Sequence, residues 1–114
     1  MEDTEQWLVQ LRKGLLQLVI LRLLRARGEL HGYALVKELL SLGPLAAGES
    51  TVYPIVKRLE AEGLLTSRWT PAAAGPPRKY YALSSEGAAF LEKADEEWDA
   101  IVESMNRISE GEAS

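Results

Sequence analysis

Ser50, Thr51, Tyr53, Pro54, Lys57 and Arg58 fall within nine consecutive residues. At about 100° per residue, Ser50, Pro54, Lys57, Arg58 and Ala61 gather on one side of a helix, and Val52, Ile55, Val56 and Leu59 on the other. Tyr53 lies between the two faces. Hydroxyls donate and accept hydrogen bonds, whereas Lys and Arg bring positive charge and only donate. One face therefore suits the polar edges and phosphates of a nucleic acid, and the other suits a core. Arg78-Lys79 follows a Gly-Pro-Pro turn, Arg68 precedes it, and His31, Tyr33 and Lys37 lie upstream. Their chemistry is the binding of a polyanion.

The overall charge of −4 argues the other way until its distribution is read. Residues 1–9 hold three acids and no base. Residues 10–84 hold eleven bases against five acids, a net of +6, and residues 85–114 hold two bases against nine acids, a net of −7. A basic middle thus lies between acidic ends, and the final segment should point away from a polyanion. With 114 residues, 46% of them hydrophobic, the chain suits one compact domain plus an appended element. With no cysteine, disulfides and zinc–thiolate sites are excluded, and no metal or cofactor is expected. A single histidine and no carboxylate pair beside a nucleophile or phosphate loop leave no enzyme constellation. Residues 14–24 are apolar but too short to span a bilayer, and Glu2, Asp3 and Glu5 stand where a signal peptide carries positive charge. A cytoplasmic location without membrane attachment is expected.

Asp3 or Thr4 can cap a first helix that runs to about residue 27, where Gly28 ends it. Its apolar positions exceed one stripe, which suggests burial against a second subunit, and Gly14 is a candidate junction. A second helix covers about residues 34–42, closed by Gly43-Pro44. A third is expected from Ser50 as N-cap, with Pro54 in its first turn, to Glu62 before Gly63. Residues 64–70 and 78–83 suit strands around a turn-rich loop at 71–77, and the adjacent Tyr80 and Tyr81 must face opposite ways. Ser84 or Ser85 caps a last helix to about residue 109. In it Leu91, Ala94, Trp98, Ile101, Met105 and Ile108 step by three and four, the spacing of a coiled-coil seam. The fold expected is mainly α with a small β-hairpin: a winged helix-turn-helix plus a coiled-coil-like dimerisation helix. The expected divisions are an arm over 1–13, the DNA-binding unit over 14–84, and the dimerisation helix and tail over 85–114. The candidate dimer interface comprises Leu8, Leu11 and the seam residues Leu91, Ala94, Trp98, Ile101, Met105 and Ile108.

Several phrases carry a family resemblance: His31-Gly32-Tyr33, Ser50-Thr51-Val52-Tyr53-Pro54, Arg58-Leu59-Glu60, Gly63-Leu64-Leu65, Trp69, and Gly75-Pro76-Pro77-Arg78-Lys79-Tyr80-Tyr81 with Leu83-Ser84 before Gly87. Together they resemble the PadR family of transcription regulators over roughly residues 12–108. The single C-terminal helix is similar to its smaller subgroup. The resemblance implies a homodimeric regulator, usually a repressor, that binds operator DNA and releases it when a small molecule binds. It implies DNA contacts from Tyr33, Lys37, Ser50, Thr51, Tyr53, Pro54, Lys57, Arg58, Arg78 and Lys79. In drug-sensing members a tryptophan on the last helix stacks planar ligands between subunits. Trp98 holds the matching place, which makes Ala94, Ile101, Met105, Trp7 and Leu15 its candidate neighbours around a planar aromatic or cationic effector. Two departures stand out. Glu49-Ser50-Thr51-Val52 replaces the usual Gly-Thr-Leu wording, and Leu30 precedes His31 where proline is frequent. Either change bears on operator preference rather than on the fold.

Blander readings remain for the same residues. Lys57 and Arg58 suit a solvated helix face, Tyr53 suits packing, His31 suits a helix cap, and Trp98 suits a dimer core. A winged-helix module that binds protein and never DNA is the competing function. It would tolerate a neutral third helix and wing, whereas bases concentrate there.

Overall fold

The computed structural model describes residues 4–71 and 74–111. The order is α1 (Glu5–Arg27), β1 (Leu30–His31), α2 (Gly32–Leu40), a 3-10 turn (Gly43–Leu45), α3 (Glu49–Ala61), β2 (Leu65–Thr70), β3 (Arg78–Leu83) and α4 (Ser85–Ser109). The strands form one antiparallel sheet in the order β1-β3-β2. The expected hairpin thus gains a third strand, in which Leu30 pairs with Tyr81 and His31 with Tyr80. Two residues are too short a run for alternation to announce a strand.

α1 is continuous through Gly14, so residues 5–13 of the expected arm belong to the same rod as the first core helix. It starts after Thr4, whose side chain makes no capping bond; Asp3, the other expected cap, lies outside the described residues. The rod ends at Gly28, which adopts φ +82° and returns its N–H to Leu24 O at 2.8 Å. Its inner side supplies Leu16, Ile20, Leu21 and Leu24 to a core completed by Leu35, Leu39, Val52, Val56 and Leu59. Each of these buried side chains contributes on the order of 1.5–3 kcal/mol through removal from water.

α3 begins two residues earlier than its sequence suggests, with Gly48 rather than Ser50 as N-cap. Pro54 consequently lies inside the helix and cannot donate to the Ser50 carbonyl. The missing bond is tolerable because Ser50 and Pro54 are both exposed to water. At the other end Gly63 takes φ +82°, Leu64 N–H reaches Leu59 O at 2.9 Å, and Gly63 N–H reaches Glu60 O at 3.0 Å. These two bonds close α3 and aim the chain into β2.

α4 is anchored at its start. The Ser84 hydroxyl accepts the Gly87 N–H at 2.9 Å and donates to Gly63 O at 2.6 Å, while Ser84 N–H donates to Leu64 O at 3.1 Å. This draws the first turn of α4 onto the backbone of residue 64 so closely that a Cβ on Gly87 would lie 1.9 Å from Leu64 O. One turn on, Leu91 is fully buried in the core. That corrects the expectation that it belongs to an intersubunit seam, because heptad spacing cannot separate a residue facing its own domain from one facing a second copy. Asp95 then receives Arg22 Nε at 2.8 Å and Arg25 Nη1 at 2.6 Å, tying α4 to α1. Residues 99–111 are all exposed.

Gly87→Ala is expected to lower stability by about 3 kcal/mol, the upper range for overpacking, because its steric partner is backbone. Ser84→Ala, which removes only the cap, should cost about 1 kcal/mol. Urea unfolding followed by circular dichroism ranks the two, and an equal cost would disprove the close-approach account.

Candidate nucleic-acid interface

α2 and α3 are joined through the 3-10 turn, and β2 and β3 stand beside α3 as a wing. Val52, Val56 and Leu59 are buried, while Ser50, Thr51, Pro54, Lys57 and Arg58 are exposed. The amphipathic division expected of α3 is therefore present. Tyr53 is half-buried, with its ring against Gly32 so closely that a Cβ there would meet Tyr53 Cε1 at 2.8 Å. Gly32 thus lets α2 and α3 approach. Burial, followed by the nearby Glu49 charge, raises the Tyr53 phenol pKa, so it remains a neutral donor. Tyr33 and Lys37 are exposed on α2.

The cations divide into paired and unpaired sets. Arg27 makes a two-nitrogen contact with Glu38 at 2.7 and 2.9 Å, and Arg68 does the same with Glu29 at 2.6 and 2.7 Å. Lys79 Nζ lies 3.2 Å from Glu60 Oε1 and over the rings of Trp69 and Tyr81, at 5.9 and 5.4 Å. The Glu60 carboxylate also accepts the Ser67 hydroxyl. Lys79, expected to face DNA beside Arg78, is thereby turned back across the sheet. Its register explains this: Lys79 pairs with Trp69 and Arg78 with Thr70, so adjacent side chains leave on opposite faces. Arg58 reaches toward α1, with Nη2 at 3.3 Å from Gln17 Oε1 and Nε at 3.8 Å from Glu62. Among the described residues Lys37, Lys57 and Arg78 have no carboxylate partner, nor, away from this face, do Arg12, Lys13 and Lys93. A cation without an internal partner can meet a phosphate without first giving up an ion pair.

A second feature lies away from this face. Trp98, Ala94, Ile101 and Leu15 line a groove of about 430 Å³ between α1 and α4, together with Phe90 and Leu18. Met105 and Trp7, expected with them, lie outside the groove and are exposed. Phe90 was missed by the seam spacing, although it stands four residues before Ala94 and eight before Trp98. Ile101, Met105 and Ile108 are exposed, as is Leu11, while Leu8 is half-buried. No group of His, Cys, Asp or Glu among the described residues could hold a metal ion, and no described helix is long and apolar enough to cross a membrane.

Three helices, a cationic outward face on the third and an adjacent two-stranded wing define the winged helix-turn-helix class of DNA-binding protein. The sequence signature of the transcriptional regulator PadR-like family matches residues 20–93, and the chain belongs to that family of regulators, which are not enzymes. A PadR family transcriptional regulator from Eggerthella lenta superposes with a TM-score of 0.81 at 34% identity, over 94% of this chain and 92% of that one. A PadR-like transcriptional regulator from Bacillus cereus gives 0.77 at 29% identity, over 87% and 95%. The Escherichia coli transcriptional regulator YqjI is 33% identical over 102 residues, 88% of this chain, which spans only 47% of YqjI.

The carboxylates that hold this frame have depressed pKa values: Glu29 through its bond from Arg68, Glu60 mainly through the Ser67 hydroxyl, and Asp95 mainly through Arg25. A depressed native pKa adds stability above the unfolded value, about 4, and that stability is lost as pH falls through the native value. The melting temperature should therefore hold between pH 7 and 5.5 and decline below about pH 4.5. Asp95→Asn should lower it at pH 7 and make the acid decline shallower; an unchanged profile would remove Asp95 from the account.

Proposed function

We propose that two copies of this chain form a cytoplasmic repressor that holds operator DNA and releases it when a small planar aromatic or cationic molecule binds between α1 and α4. The observation that carries the DNA part is the outward face of α3. Ser50, Thr51 and Lys57 stand there in water, with Tyr53 beside them and Arg78 on the wing without a carboxylate partner. In this reading Ser50, Thr51 and Tyr53 reach base edges or backbone oxygens, Pro54 packs against the backbone, and Lys37, Lys57 and Arg78 meet phosphates. Arg58 reaches DNA by leaving Gln17, and Lys79 supports the wing through Glu60.

Dimerisation is supported by the exposed apolar side chains of the chain's two end helices. Trp7 and Leu11 on α1 and Ile101, Met105 and Ile108 on α4 are between 40% and 64% exposed. Large apolar groups in such density mark a surface that another surface covers. The acidic second half of α4 then lies away from the duplex. A second copy across this face would also deepen the groove at Trp98 and bring Met105 and Trp7 toward it.

Fluorescence anisotropy with a duplex from the region upstream of the chain's own gene tests the DNA and dimer claims together. Lys57→Ala and Arg78→Ala should each reduce the log–log salt slope by about 0.9 per lost phosphate contact. Lys79→Ala should leave that slope nearly unchanged. Met105→Glu, at a site exposed in the single chain, should give monomers by sedimentation and lose tight operator binding. Wild-type protein that shows no salt-dependent binding would favour the protein-interaction module instead.

The effector claim has its own measurement. A planar aromatic cation should quench the intrinsic tryptophan emission of the wild type and quench Trp98→Ala far less. Equal quenching would assign Trp98 to packing alone.

A further inference from the structure

His31 performs two tasks with its two ring nitrogens. Nδ1 accepts the backbone N–H of Ala34 at 3.3 Å and so caps α2. A nitrogen that accepts carries a lone pair, so in the neutral ring the proton sits on Nε2. Nε2 lies 3.5 Å from Arg78 Nη1, which is also a donor. Two donors therefore converge without an acceptor between them. The imidazole is held in this orientation, edge-on to Tyr80 at 5.3 Å and parallel to Tyr33 at 6.4 Å. The ring lines a groove of about 320 Å³ between α2, α3 and the wing. Tyr33, Tyr53, Trp69, Arg78 and Lys79 line it; its lining holds no carboxylate, and Lys79 is the one of its two cations already paired, with Glu60. Arg78 has no ion-pair partner among the described residues, unlike Arg68 and Lys79 on the same wing.

We infer that this groove is a seat for one backbone phosphate of the duplex, in which His31 Nε2–H and Arg78 donate to the same phosphodiester. The inference rests on the operator-binding reading above and adds to it a ring donor, Nε2–H, that is aimed by a helix cap at Nδ1. The cap points Nε2–H outward, and the phosphate supplies the acceptor that the protein leaves out.

Two substitutions separate the tasks. Asparagine places its carbonyl oxygen near the position of Nδ1 and is a good N-cap, but its amide is too short to reach the site of Nε2. Glutamine extends its amide toward Nε2 and is a poorer cap. His31→Asn should keep its melting temperature within about 2 °C of wild type and bind the upstream duplex about tenfold more weakly. His31→Gln should melt lower yet bind within about threefold of wild type. Nitrogen-15 NMR of wild-type His31 should show the Nε2–H tautomer, with that resonance shifting on addition of duplex. Wild-type-like binding by His31→Asn overturns the seat, and so does an equal loss in His31→Gln. The same NMR shift on addition of inorganic phosphate alone, at matched ionic strength, overturns its assignment to the DNA backbone. Wild-type protein that binds no duplex at all overturns the operator reading, and the seat with it.

Discussion

The buried side of α1 is the constraint to which the other elements are fitted. Leu16, Ile20, Leu21 and Leu24 are essentially inaccessible to water, and α3, α4 and β3 all pack against the same rod. Because an interior this close-packed resists rearrangement, the angle of α3 and the position of the wing are set together. A recognition surface built on rigid helices holds its donors in fixed relation to one another. Gly32 and Gly87 mark the two places where the packing brings elements too near for a side chain. The first seats Tyr53 beneath α2, and the second seats α4 on the chain entering β2.

Charge is arranged by pairing rather than by number. Four cations of the basic middle, Arg22, Arg25, Arg27 and Arg68, hold α1 to α4, α1 to α2, or the segment after α1 to β2, and Arg58 and Lys79 meet carboxylates as well. Such exposed pairs contribute little stability individually. Their larger effect is to decide which cations stay available. Of the described cations left without carboxylates, Lys37, Lys57 and Arg78 border the outward surface of α2, α3 and the wing. A net charge of −4 is therefore compatible with a locally positive face, since the acids concentrate on α4.

α4 changes character along its length. Ser84, Gly87, Leu91 and Asp95 bind its first turns to the domain, and beyond them its apolar residues meet water. The groove at Trp98 lies where the anchored part gives way to the free part. A ligand there would touch α1 and α4 at once, so its binding energy would bear on the direction in which α4 leaves the domain. In a dimer joined through α4, that direction sets the separation of the two α3 helices.

From the sequence alone the helices, the hairpin and the two-faced third helix were legible, because 3.6-residue and two-residue periodicities are local properties. The family phrases were legible as wording, but of Gly32, Gly63 and Gly87 only Gly63 meets a local demand, for positive φ; Gly32 and Gly87 answer to the tertiary approach of Tyr53 and Leu64. Which face of α4 its own domain occupies was not legible, since Leu91 and Ile101 satisfy the same seam spacing and only packing against α1 and β3 separates them. Nor was the fate of the charges, because Lys79 meets Glu60, Arg68 meets Glu29 and Arg58 meets Gln17 only after folding brings distant segments together. The strand at residues 30–31 is also a tertiary product, too short for a pattern of its own and present because β3 offers an open edge. Sequence periodicity thus determined which residues of each element share a face. The tertiary structure decided which of the outward residues were left without partners.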